Sequence, residues 1–274
     1  MNNPPAHRPR KRFGQHFLRD DGVIQHIIDE IFPRTGEHIV EIGPGEGVLT
    51  TRLAESDIQL DLVEIDRDLI AHLTELFRDN AQVTINEADA LKFDFASLKQ
   101  ADKPMRLVGN LPYNISSPLL LHLAEYGSEI SDMHFMLQKE MVDRMASKVG
   151  GSNYGRFTVM MQYYFDIESL FDVYPDAFKP PPKVMSAVIR VVPRKTLLPL
   201  SDAKVLEELV KQAFSQRRKQ IRNTLGKWFT AEQLADCGVN EKDRPQQIPV
   251  EAYVNLANAL FKRRAAQHPQ DDSE

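Results

Sequence analysis

The residues best suited to chemistry begin with Gly43, Gly45 and Gly47 in the run Ile39-Val40-Glu41-Ile42-Gly43-Pro44-Gly45-Glu46-Gly47. An apolar strand leads directly into a glycine-rich turn, and a helix is expected from about Val48. Glycine lets the backbone turn sharply and approach a ligand closely. A dinucleotide fingerprint would place Gly or Ala at the position of Val48, three after Gly45; glycine at 43, 45 and 47 instead suits a ligand without a pyrophosphate. Polar groups follow at the ends of the next three strands. Glu64 ends the second strand, about 20 residues past the glycines, where an acid can accept hydrogen bonds from both hydroxyls of a ribose. Asp66 is the alternative ribose partner and ranks below it. Asp89 ends the third strand, where a carboxylate can accept from the amino group of an adenine, and Asn110–Tyr113 ends the fourth. Three consecutive strand ends with the right polar group point to a nucleoside-containing ligand beyond the carboxyl ends of a sheet.

The tetrapeptide Asn110-Leu111-Pro112-Tyr113 resembles the Asn/Asp-Pro-Pro-Tyr motif of adenine amino methyltransferases. An adenine amino nitrogen is a poor nucleophile because its lone pair is delocalised into the ring. The side-chain carbonyl of Asn110 and the backbone carbonyl of Leu111 can each accept one N–H, favouring a pyramidal nitrogen aimed at a sulfonium methyl. Pro112 stiffens the turn, and Tyr113 can stack on the base. No general base is needed before attack, because the amine can lose its proton afterwards. Further segments extend the match: Arg12 to Leu18 (RFGQHFL), Asn114-Ile115-Ser116, Tyr154-Gly155-Arg156, Phe178 to Val184 (FKPPPKV) and Phe214 to Leu225 (FSQRRKQIRNTL). Together, over about residues 10–262, they resemble the KsgA family of ribosomal RNA small-subunit adenine dimethyltransferases.

That resemblance implies S-adenosylmethionine as cofactor, with His16 and Leu18 covering it and Gly43, Gly45, Glu64, Asp89 and Asn110 as further contacts. His16 stands where some members have Asn. It implies that Asn110, Leu111 and Tyr113 act on the substrate and that Phe178 closes an aromatic clamp with Tyr113 around a flipped adenine. The neighbouring prolines suggest an exposed, rigid loop for Phe178. The implied substrate is two adjacent adenosines near the 3′ end of 16S rRNA, each receiving two methyl groups within a partly assembled 30S subunit, so that the enzyme also serves small-subunit biogenesis.

These residues need a scaffold. Short apolar runs at His38 to Ile42, Gln59 to Ile65, Gln82 to Asn86, Met105 to Val108 and Met133 to Leu137 alternate with helical patterns such as Val23 to Phe32, Arg67 to Phe77 and Pro118 to Tyr126. Such alternation predicts a doubly wound, mostly parallel α/β sheet of the Rossmann-like class I methyltransferase kind. Ile167 to Val173 and Val184 to Val192 follow without a long helix between them and predict an antiparallel hairpin at the sheet edge. Beyond Pro193 the apolar positions take helical spacing, and Gln216 to Leu225 is expected to be one helix carrying Arg218 and Arg222 on one face. The organisation expected is a basic arm and cofactor-covering segment at 1–21, the methyltransferase domain at 22–196, a small all-helical RNA-binding domain at 197–266 and a disordered tail at 267–274.

The chain of 274 residues has a net charge of −5, but its positive charge is segregated. Residues 1–18 hold four basic side chains and no acid, and residues 209–231 hold six and no acid. Arg10, Lys11 and Arg12 in the first stretch and Arg217, Arg218, Lys219 and Arg222 in the second are the expected RNA contacts. No apolar run is long enough for a membrane helix, and the start of the chain lacks the apolar segment of a secretory signal, so a cytoplasmic location is expected. Cys237 is the only cysteine, which excludes an intramolecular disulfide and a cysteine-cluster metal site; no metal is expected, and the protein is expected to be a monomer. The alternatives are an erythromycin-resistance type methyltransferase of large-subunit RNA, or an rRNA-binding assembly factor that has lost catalysis. The three prolines at 180–182 and the helix expected over Gln216 to Leu225 favour the small-subunit family, and intact Asn110, Tyr113, Glu64 and Asp89 argue against lost catalysis.

Overall fold

Short runs of β-branched and aliphatic residues, each closed by turn residues, form the strands of the first half of the chain, and amphipathic stretches between them form the helices. The computed structural model describes residues 16–99 and 103–267. In chain order the elements are β1 (Phe17–Leu18), α1 (Asp21–Ile31), β2 (His38–Ile42), α2 (Val48–Leu53), β3 (Gln59–Glu64), α3 (Arg67–Leu76), β4 (Val83–Glu87), β5 (Met105–Asn110), α4 (Ser116–Leu123), β6 (Ile130–Gln138), α5 (Lys139–Met145), α6 (Arg156–Tyr164), β7 (Phe165–Val173), β8 (Phe178–Lys179) and β9 (Ser186–Pro193). Four helices follow: α7 (Ala203–Ala213), α8 (Ile221–Leu225), α9 (Ala231–Asp236) and α10 (Val250–Gln267).

The chain divides into two compact units. One runs to Val142 and resumes over Phe165–Lys195; the other comprises Asp143–Tyr164 and the chain from Thr196 onward. The first unit holds a seven-stranded sheet in the order β4-β3-β2-β5-β6-β9-β7. Strands β2 to β6 pair in parallel, while β9 pairs antiparallel with both β6 and β7. β2 is buried along its whole length, as the middle of a sheet covered on both faces must be. The chain starts at β2, winds outward to β3 and β4, then returns to the other side of β2 with β5. The cleft beyond β2 and β5 is therefore the topological switch point. Gly109 allows these strands to close there: a Cβ on it would stand 2.4 Å from the Ile42 carbonyl oxygen. The separate two-stranded ribbon β1-β8 pairs Phe17 with Lys179 and Leu18 with Phe178.

The second unit is helical and differs from the linear reading in two places. Residues 143–164, expected to belong with the sheet, group instead with the C-terminal helices, because α6 buries Val159, Met161 and Tyr163 and hydrogen bonds tie its neighbourhood to that unit. The Tyr154 hydroxyl donates to the Ile248 carbonyl at 3.0 Å and the Tyr163 hydroxyl to the Leu198 carbonyl at 3.1 Å. Gln216 to Leu225 is also not one helix. The amides of Ile221 and Arg222 donate to the carbonyls of Asp243 and Glu241, at 2.7 and 3.2 Å, instead of to the preceding turn. Residues 217–220 form a turn, and Arg218 and Arg222 do not share a helix face. Among the described residues no helix is long and apolar enough to cross a membrane.

Candidate active site

A cavity of about 370 Å³ opens at the switch point in the first unit, lined by residues 16–18, the glycine turn, the ends of β3 and β4, and residues 110–115. The turn is built from left-handed glycines. Gly43, Gly45 and Gly47 have φ of +66°, +60° and +80°, values that side chains rarely adopt, and Gly47 caps α2. A Cβ on Gly45 would stand 3.3 Å from the Phe17 ring, so the covering segment lies directly on the turn. Arg19 pairs with Glu46 and fastens that segment further.

Two buried acids lie in the cavity wall. Glu64 is mostly buried, and its Oε1 accepts the amides of Ile65 at 2.8 Å and Asp66 at 2.9 Å. Burial raises its carboxyl above the ordinary range, those amides and that of Gly45 oppose the rise, and the Asp66 charge adds to it. Glu41 is 1% exposed and accepts from the Thr50 hydroxyl at 2.6 Å. Burial lifts its carboxyl to about 7, against the Thr50 hydrogen bond and helped by the Glu64 charge. Both acids would be relieved by a ligand carrying positive charge. Asp89 lines the same cavity, half-buried, its Oδ1 taking the Leu91 amide at 3.1 Å. Asp66 does not line it; its side chain accepts from the Asp68 amide and caps α3.

The tetrapeptide forms the remaining wall. Asn110 Nδ2 donates to the His16 carbonyl at 3.1 Å, so the amide oxygen is the atom turned away from the covering segment. The Leu111 amide donates to the Met136 carbonyl, and the Pro112 carbonyl accepts from Ile115 and Ser116, which fixes the turn. The Tyr113 and Ser186 hydroxyls are hydrogen-bonded at 2.9 Å, and burial raises the Tyr113 phenol while that bond opposes the rise. The rings of Tyr113 and His16 lie 6.2 Å apart at 27°. His16 Nδ1 donates to the Pro180 carbonyl at 2.8 Å.

Thus His16, Leu18, Gly43, Gly45, Glu64, Asp89, Asn110, Leu111 and Tyr113 converge on one cavity. Phe178 does not line it. The residue is 5% exposed, packed in the apolar cluster with Leu18, Val173 and Ala177, because β8 pairs with β1 and carries the ring into the core; the exposed loop expected from the prolines is not found at this position. In the second unit Arg218 and Lys219 are exposed and Arg222 faces Glu241 at 3.8 Å. Arg217 is engaged otherwise: its guanidinium donates to the carbonyls of Ser152 and Tyr154. Arg10, Lys11 and Arg12 lie outside the described residues. The linear reading missed Phe17, Glu41 and Ser186. An acid inside the apolar run before Gly43 was a legible signal for Glu41; nothing local marks Ser186, whose contact spans 73 residues. Among the described residues no group of three or more His, Cys, Asp or Glu is placed to hold a metal ion.

Comparison with known proteins decides what such a site belongs to. Residues 6–262 match the model of the ribosomal RNA adenine dimethylase family. The chain belongs to this family. Among curated relatives, the ribosomal RNA small subunit methyltransferase A of Pseudomonas syringae pv. syringae is 50% identical over 264 residues, covering 96% of this chain and 98% of that protein. The protein of the same name from Marinobacter nauticus is 46% identical, covering 100% and 99%. Among solved structures, a dimethyladenosine transferase from Plasmodium falciparum shares the fold with a TM-score of 0.75 at 24% identity, over 91% of this chain and 98% of that one. The 23S rRNA methyltransferase ErmE is similar with a TM-score of 0.68 at 27% identity, over 89% and 99%. As a family member the protein is an S-adenosylmethionine-dependent rRNA adenine dimethyltransferase on a class I methyltransferase fold.

Proposed function

We propose that this ribosomal RNA adenine dimethylase modifies two adjacent adenosines near the 3′ end of 16S rRNA, within the small ribosomal subunit in the cytoplasm, as a monomer. The relatives named for small-subunit methylation, at 46–50% identity over nearly the full chain, favour this over the large-subunit alternative. The cofactor suits the cavity: two buried acids with no counter-charge among the described residues meet a cationic ligand, and left-handed glycines leave room for its approach. Glu64 and Asp89 would hold its ribose and adenine, and His16, Leu18, Gly43 and Gly45 would enclose it. Bound there, S-adenosylmethionine supplies an electrophilic methyl on a sulfonium.

The chain's own residues prepare the nucleophile. The Asn110 oxygen and the Leu111 carbonyl accept the amino hydrogens of a flipped adenine, which localises the nitrogen lone pair. Tyr113 stacks on the base. The amino nitrogen so aligned would take the methyl that a bound S-adenosylmethionine would supply, leaving the thioether, and would then shed its proton to solvent, so no buried base is required. The observation that carries this reading is the Asn110–His16 hydrogen bond, which commits the amide nitrogen and leaves the oxygen for the substrate. With cofactor saturating, Asn110→Ala should therefore transfer methyl at least about 100-fold more slowly in a single turnover, the scale of misalignment at a reacting centre. A normal single-turnover rate would exclude the carbonyl-acceptor role.

A further inference from the structure

Stacking alone leaves an aromatic ring free to turn about χ1 and χ2, and two successive methyl transfers to one nitrogen demand that the base return to the same plane. Tyr113 lies half-buried, with one end fixed by the Pro112 turn. Its far end is fixed by Ser186. That serine is 1% exposed and is the first residue of β9, where it sits in register between Gln138 of β6 and Val173 of β7. Its hydroxyl is thus anchored in the sheet, 2.9 Å from the Tyr113 hydroxyl.

We propose that Ser186 is a positioning residue for methyl transfer, acting through Tyr113 by holding the ring in the plane on which the target adenine stacks. This rests on the reading of Tyr113 as the stacking face. Neither hydroxyl changes protonation or touches the transferred methyl. The effect is geometric: without the hydrogen bond the ring rotates, and the range of base orientations before the reaction widens. Removing either hydroxyl breaks the same bond, so the two effects must not multiply.

The test is a double-mutant cycle on the full-length protein with unmodified small subunits and S-adenosylmethionine, read as single-turnover rates at saturating subunit. Ser186→Ala and Tyr113→Phe should each slow transfer about fivefold, the effect of one neutral hydrogen bond, and the double variant should be no slower than either. Cofactor affinity should be unchanged in all three. Multiplied effects in the double variant, or a wild-type rate in Ser186→Ala while Tyr113→Ala is strongly impaired, would overturn the proposal. A wild-type rate in Tyr113→Ala would overturn the stacking reading itself. If Ser186→Ala does not fold, Tyr113→Phe removes the same hydrogen bond while keeping the ring, and its wild-type rate would be decisive against the proposal.

Discussion

Glu41 and Glu64 illustrate how burial prepares a site before any ligand arrives. Glu64→Ala should weaken S-adenosylmethionine binding by on the order of 1.5 to 3 kcal/mol, the worth of a charged acceptor, measured by calorimetric titration. Unchanged affinity would move the ribose role to Asp66, which caps α3 in the structure. Glu41 makes a second prediction through pH. Folding raises its carboxyl from 4.5 to about 7, so between those values the folded chain holds a proton that the unfolded chain has released, and stability falls as pH rises through that window. Glu41→Gln should flatten the fall, gaining up to about 3 kcal/mol over the wild type at pH 8 and much less at pH 5, measured by urea unfolding without cofactor. The convergence of Glu64, Asp89 and Asn110 on one cavity was legible in the sequence because each lies at or just beyond a strand end, where sheet geometry says ligands bind. Glu41 was only faintly marked, and Ser186 not at all. The first sits inside an apolar run that reads as core, and the second acts through a hydrogen bond that exists only after β9 is placed.

The strands and helices show where linear reading succeeds and where tertiary contacts overrule it. The parallel, doubly wound character of the sheet followed from alternation of apolar runs with amphipathic helices, and the β7 and β9 pairing followed from the missing helix between them. Close packing at β2 and β5 was invisible, since Gly109 reads as an ordinary glycine until the Ile42 carbonyl is placed beside it. Gly109→Ala should force these two strands apart and destabilise the protein by about 1–3 kcal/mol, as overpacking does, with weakened cofactor binding because the cavity lies beyond their ends; thermal melting with and without S-adenosylmethionine reads both effects. The helix expected over Gln216 to Leu225 failed for a different reason. Its apolar positions keep helical phase across the break, and only the hydrogen bonds from Ile221 and Arg222 to Asp243 and Glu241 reveal the turn. Phe178 likewise looked exposed beside its prolines until pairing with Leu18 buried it.

At the scale of the whole molecule the chemistry resides in the first unit, and the basic cluster near residue 218 resides in the second. Both are visible in the sequence, but residues 143–164 read as part of the wrong unit, because a chain excursion returning to its sheet leaves no compositional mark. If the cluster meets rRNA phosphate, Arg218→Ala with Arg222→Ala should weaken binding to small subunits and lower the salt-dependence slope by about one unit for each arginine–phosphate pairing removed, with cofactor affinity unchanged. Arg217, committed to the Ser152 and Tyr154 carbonyls, should instead lower stability when replaced. An unaltered slope in the folded double variant would turn attention to Arg10, Lys11 and Arg12. The most direct test of the central claim is to incubate unmodified small subunits with the protein and methyl-labelled S-adenosylmethionine and then map the label by nucleotide. Dimethyladenosine is expected at two adjacent positions near the 3′ end of 16S rRNA; label confined to large-subunit RNA, or no label in small-subunit RNA, would contradict methylation of the small subunit.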